Sequence, residues 1–182
     1  MKKTDARVRY TIMVLKESLL ACLAQRPINR ITVKEVCEAA GINRATFYTH
    51  FTDCFDLLEA IENDLLGEFE KSLRYVEQPD VSALVEAIYD MVQNNEKVCR
   101  VLVFGNTNAS VLRKMIALAR PESIAYWRKH LKKATEEDLE MLYTHLSNGL
   151  LHVVVEGYDR FDRETVIRFV DRTVKASLAA FS

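Results

Sequence analysis

Glycine and proline, the residues that punctuate folded chains, are scarce here: 5 Gly and 3 Pro in 182 positions. A sandwich or barrel needs many tight turns, and this chain has few residues with which to make them. Leu, Ala, Glu and Lys recur instead, which favours helix. No stretch of about 18 apolar residues occurs, so no transmembrane helix is expected. The charged start, "MKKTDARVRY", has no apolar segment behind it, and no signal peptide is expected. The four cysteines, Cys22, Cys37, Cys54 and Cys99, form no CxxC pair. They are read as reduced thiols of a cytoplasmic protein, neither disulfide-bonded nor zinc-binding. Charge of one sign is also missing overall, the net value being −1.

What is present is a hydrophobic fraction of 49%, enough for one large or two small cores. The charge is unevenly spread. Residues 1–52 hold nine Lys/Arg against four Asp/Glu, and residues 53–182 hold sixteen against twenty-two. A basic head on an acidic body suggests that the head meets a polyanion.

Helical periodicity runs through nearly the whole chain and predicts an all-α fold of about nine helices. Ile12, Leu15, Leu19 and Leu23 share a face before Pro27 and Asn29 break the chain. Thr32 followed by Glu35 is a capping box, and Val33, Val36, Cys37 and Ala40 form the inner face of the short helix it opens. Gly41 closes that helix. Asn43 caps another, expected over 44–51. Thr52 or Asp53 opens a long helix carrying Leu58, Ile61, Leu65, Phe69, Leu73 and Val76, ending before Pro79. Asp80 is the expected cap of the next, with Val85, Ile88 and Val92 inside. A short helix spans about 95–104 and stops at Gly105. Another, with Val111, Met115 and Ile116, is expected to end at Pro121, and a further one carries Ile124, Trp127 and Leu131. Thr135 with Asp138 opens a helix to about Glu156, and Asp162 opens the last. No linker or low-complexity segment interrupts the series.

Two short helices joined at a tight turn containing Gly41 are the helix-turn-helix arrangement, whose second helix enters the major groove. The stretch "GINRATFYTHF" has the composition for it. Phe47 and Phe51 suit the inward side, as does Ala45 unless it faces a thymine methyl. Arg44 can take guanine O6 and N7 together, and Thr46 can serve a base. Tyr48, Thr49 and His50 suit phosphates.

The run "ITVKEVCEAAGINRATFYTHFTDCFDLLEAI" strongly resembles the DNA-binding domain of the tetracycline-repressor-like (TetR/AcrR) family, over Arg7 to about Leu66. The resemblance rests on Thr32, Val36-Cys37, Ala40-Gly41-Ile42, Thr46, Tyr48-x-His50-Phe51 and Leu57. It implies that Arg44 and Ala45 lie against bases and that Thr46 meets a base or a phosphate. It also implies that Tyr48, Thr49 and His50 grip phosphates, with Thr32, assisted by Lys34, at another. It divides the chain into a DNA-binding domain, 1–54, and a helical ligand-binding and dimerisation domain, 55–182. Where that family often has a Lys opening the fourth helix and reaching the DNA backbone, this sequence has Cys54. Another group is expected to serve that phosphate, with Lys2, Lys3, Arg7 and Arg9 as candidates.

In the body, Leu139, Leu142, Leu146, Leu150 and Val153 line one helix, and Val166, Phe169, Val170, Val174 and Leu178 line the last. Their periodicity fits either packing within the chain or a two-fold interface; the resemblance favours a four-helix dimer interface. Gly149 inside a helical run costs about 1 kcal/mol relative to Ala and suggests a close helix crossing. A palindromic operator likewise requires a homodimer. Met141, His145, Asn148, His152 and Glu156 share a polar stripe. Its histidines are two turns apart, about 10.5 Å along the axis, which is too far for one metal ion. A small-molecule effector of apolar or amphipathic kind would lie among Phe69, Leu73, Tyr89, Val101, Leu102, Phe104, Met115, Trp127 and Tyr143. The expected function is a DNA-binding regulator, a homodimeric repressor released by such an effector, with no cofactor and no membrane contact. The alternative is a head of the same kind controlled by a protein partner, or without an effector. An all-α enzyme using His130, His145 or His152 has no nucleophile–base pair, metal-ligand spacing or phosphate loop to support it.

Overall fold

Five of the described helices open at a side chain that accepts a first-turn N–H, as the sequence leads one to expect. The computed structural model describes residues 3–74, 81–105 and 109–182. Among them are nine α-helices and no strand: α1 (Lys3–Leu23), α2 (Val33–Ala40), α3 (Arg44–Tyr48), α4 (Cys54–Arg74), α5 (Val81–Asn94), α6 (Glu96–Leu102), α7 (Ala109–His130), α8 (Glu136–Gly157) and α9 (Arg163–Ala179). The all-α expectation therefore holds. Val76, Pro79 and Asp80 lie outside the described residues.

Thr32 and Thr135 cap α2 and α8 through reciprocal boxes with Glu35 and Asp138. Asp162 accepts the Thr165 N–H at the start of α9. Asp53 caps α4, accepting the N–H groups of Phe55 at 2.7 Å and Asp56 at 2.9 Å. Gly105 follows α6 because a Cβ there would stand 2.5 Å from the Val101 carbonyl oxygen.

The chain forms two compact units, Met1–Leu65 with Lys97–Thr107, and Leu66–Glu96 with Asn108–Ser182. In the first, α1 packs on α2 and α2 on α3. Leu15, Leu19, Val36, Phe47 and Leu57 are completely buried there. Each such side chain contributes about 1.5–3 kcal/mol relative to exposure. Lys16 ties α1 to α4, donating to Asp64 Oδ2 at 2.6 Å and to the Ala60 carbonyl at 3.3 Å. The unit includes the first half of α4, where Leu57, Leu58, Ile61 and Leu65 are buried.

In the second unit α5 packs on α9, α7 on α8, and α8 on α9. Tyr89 stacks on Tyr158, ring centroids 5.3 Å apart, and Arg163 holds Asp90 at 2.7 Å. The expected break at Pro121 is absent: α7 runs through it from Ala109 to His130. A proline inside a helix removes one hydrogen bond and costs about 3 kcal/mol. Here Met115, Ile116, Ala119, Ser123 and Trp127 keep one face across it and line one cavity, Ile124 is buried on another side, and Pro121 itself is exposed. Burial on both sides of the proline offsets the missing bond.

The carboxylates of Glu35, Asp138 and Asp162 at these helix starts are held below their ordinary values, chiefly by hydrogen bonds from the hydroxyls of Thr32, Thr135 and Thr165. A depressed folded pKa stabilises the fold above the unfolded value and ceases to do so as pH falls through the folded value. Thermal melts are therefore expected to be flat near neutrality and to drop in acid, below the free Glu value of 4.5. The Thr135→Ala variant should melt lower at neutral pH and lose less on acidification than the parent.

Candidate nucleic-acid interface

A helix of five residues cannot hold itself together, so α3 depends on its ends and on one anchor. At its start the Asn43 side chain accepts the Ala45 N–H at 2.8 Å. Before that, Gly41 takes φ 65°, a left-handed turn that only glycine adopts without strain, and its N–H closes on Cys37 and Glu38 carbonyls. At its end the Thr49 hydroxyl donates to the Thr46 carbonyl at 2.6 Å. The regular helix is thus shorter than the expected 44–51; residues 49–50 form a turn. The anchor is Phe47, completely buried, with Tyr48 edge-on at 5.6 Å and Phe51 tilted at 5.9 Å.

With Phe47 pointing in, helical geometry turns Arg44, Ala45, Tyr48 and Thr49 outward, and all four are exposed. Thr46 and His50 are half-buried at the edges of that face. Ala45 is therefore not part of the core, and Phe47 and Phe51 are. The Arg44 guanidinium lies 6.0 Å from the centre of the Tyr48 ring and donates to the Tyr48 hydroxyl at 3.5 Å. That hydroxyl raises the arginine further above its ordinary value, so its charge is permanent. A fixed cation on a braced arm at the start of a protruding helix is suited to a guanine edge.

The N-terminus of α2 is more occupied than the sequence indicates. The Thr32 hydroxyl donates to Glu35 Oε2 at 2.8 Å and accepts the Glu35 N–H at 3.3 Å. Arg26, which no sequence motif marks, donates to Glu35 Oε1 at 2.7 Å. Nothing in the local sequence signals that pairing, since the two are nine residues apart across a turn. What remains at this end for a phosphate is the helix's first free N–H groups and Lys34, exposed and only 3.8 Å from Glu38.

Cys54 is buried, 3% exposed, and burial pushes its thiol up to about 11. It is a neutral packing residue. The helix end it opens is closed by Asp53 and by Asp56, which accepts the Thr52 N–H at 2.8 Å. Of the candidate substitutes, Arg7 and Arg9 are exposed or nearly so on α1, whereas the side chains of Lys2 and Lys3 lie outside the described residues.

An outward-facing short helix behind a glycine turn, among described residues that are all helical or loop, is a helix-turn-helix arrangement, the class of element that enters a DNA major groove. Residues 17–61 match the family model described as bacterial regulatory proteins, tetR family. A curated relative, an uncharacterized HTH-type transcriptional regulator YxbF of Bacillus subtilis (strain 168), is 37% identical over 59 residues. That match covers 32% of this chain and 16% of the relative, so the chain spans a small part of the length of the curated protein it resembles. Among solved structures, the fatty acid degradation regulator FadR from Bacillus halodurans superposes with a TM-score of 0.63 at 15% identity, covering 90% of this chain and 94% of that one. A SmeT–triclosan complex gives 0.62 at 17% identity, covering 92% and 90%. At such identities these two show the fold alone.

Replacing Arg44 by Ala is expected to weaken operator binding roughly 5- to 150-fold and to relax specificity at one base pair. Tyr48→Phe should weaken it less. Because the two side chains touch, the double variant should lose less than the singles predict, which fluorescence anisotropy on a labelled duplex would measure.

Proposed function

We propose that the protein is a homodimeric transcriptional repressor, acting on DNA in the cytoplasm and released from a palindromic operator by a small effector. The observation that carries the DNA-binding part is the outward face of α3, with Arg44, Ala45, Thr46, Tyr48, Thr49 and His50 around a buried Phe47. Thr32 and Lys34 add the neighbouring helix end.

The two-fold partner is supported by an apolar strip on α8 and α9. Two open grooves of about 160 and 430 Å³ share Val153 and Phe169. Phe169 is 54% exposed and Phe161 52%. Nothing lies within 4 Å of where a Gly149 Cβ would be, so the close approach its glycine allows is unused within the chain. The expected face shifts accordingly. Leu139 and Leu142 are buried in their own chain, whereas Val166, Val170 and Val174, also largely covered, line the floors of the two grooves. Leu178 packs with the core cluster around Ile124 and Tyr143, and Leu146 borders that cluster while also lining a groove. Helical period marks a buried stripe but does not say whether the neighbour is the same chain or another. Leu146, Leu150, Val153 and Phe169, with His145, Gly149 and Phe161, are the residues left to meet a second copy. The stripe of Met141, His145, Asn148, His152 and Glu156 is exposed along one side of α8, beside this face.

The effector is assigned to a cavity in the second unit, lined by Phe69, Leu73, Met115, Trp127 and Tyr143 among others. Four expected residues do not line it. Tyr89 is engaged with Tyr158, and Val101, Leu102 and Phe104 belong to the first unit. Structural neighbours described as a fatty acid degradation regulator and as a triclosan complex support a ligand in such a body. Ligand acts by favouring a spacing of the two heads that misfits the operator.

DNA flanking the gene should contain a palindrome that the protein protects, with affinity falling steeply as salt rises. Salt-independent or absent binding would sink the proposal. Phe169→Glu should convert a dimer to a monomer in sedimentation and abolish tight operator binding while leaving the helical circular dichroism signal intact.

A further inference from the structure

We propose that the cavity of the second unit takes a small uncharged hydrophobic molecule, one ring or a short alkyl chain, and excludes carboxylates, phosphates and amines. This rests on the effector reading above and narrows its chemistry.

Sixteen described residues line the cavity, and none is charged. Three carry hydroxyls, and each hydroxyl is already committed. Ser123 donates to the Ala119 carbonyl at 2.9 Å, Ser147 donates to the Tyr143 carbonyl at 2.6 Å, and Tyr143 donates to the Ile116 carbonyl. The lining's other polar group is the Trp127 indole N–H, so an entering anion meets no positive charge among the lining residues, and an entering cation meets no carboxylate there. Burial pushes the Tyr143 phenol up to about 12, so it stays neutral through the physiological range. Placing an unpaired charge against such walls costs far more than the apolar contact returns.

Size sets the second limit. The cavity holds about 90 Å³. That is roughly three-fifths of the 150 Å³ engineered cavity known to accept benzene. It is open on one side, so a ring or a chain can seat one end without being enclosed. Trp127 and Tyr143 form an aromatic wall, centroids 6.0 Å apart and tilted by 55°. Met115 contributes an adaptable thioether side chain.

Trp127 is the chain's one tryptophan, so its emission reports on this cavity alone. The intact protein would be titrated with toluene, benzoate and benzylammonium, three probes sharing a ring and differing in charge. Toluene should shift Trp127 emission saturably, and both ions should bind at least about tenfold more weakly. Ala119→Leu fills the cavity from α7 and Ser147→Leu from α8. Either variant, shown to be folded by its melting curve, should lose the toluene response. Benzoate or benzylammonium binding as tightly as toluene would overturn the proposal, and so would the absence of any saturable response. Operator binding read in parallel separates the two ideas: toluene bound without any change in DNA affinity leaves the cavity chemistry standing and removes the regulatory role.

Discussion

The burial of Phe47 is the constraint on which the DNA-facing part of this molecule depends. Five residues of helix have too few internal hydrogen bonds to persist alone, and one ring locked into the first unit gives α3 its place. Once that ring points inward, the helical turn decides the rest. Arg44, Ala45 and Tyr48 must face out, and the Arg44–Tyr48 contact, one turn apart, follows without further design. The glycine at 41 and the asparagine at 43 set the angle at which α3 leaves α2. Outward-facing residues and anchor are thus positions of a single short element, and changing either kind disturbs the other.

Electrostatics around this element are local. The carboxylates that cap α2 and α4 occupy the helix ends where a phosphate would otherwise be welcome. Glu35 is partly neutralised by Arg26, whereas α4 opens with Asp53 and a buried neutral thiol. The two ends are therefore unequal: the one beside Lys34 can still offer N–H groups, and the other offers DNA no cation.

Legibility in the sequence follows the range of the interaction. Caps, the glycine turn and the inward and outward sides of α3 are decided within four residues, and Thr32–Glu35, Asn43 and Gly41 announce them. Pro121 misleads because its local rule, a helix end, is overridden by burial of Met115 and Ile124 on either side of it. Val101, Leu102 and Phe104 are plainly inward-facing in the sequence, but periodicity does not name the core they enter, and they belong to the first unit. The same ambiguity separates Leu139 and Leu142, packed inside the chain, from Phe169, left outside it. The Arg26–Glu35 pair spans a turn and has no sequence signal at all.

Pro121 leaves one rung out of the ladder of α7, at the carbonyl of Ala117. Bending stiffness along a helix comes from those rungs, and a helix with one absent bends most easily at that level. The segment bearing Met115 and the segment bearing Trp127 are consequently two levers on a common pivot, each touching the same cavity. A guest that pries them apart works against one soft joint and not against the full rigidity of a 22-residue rod.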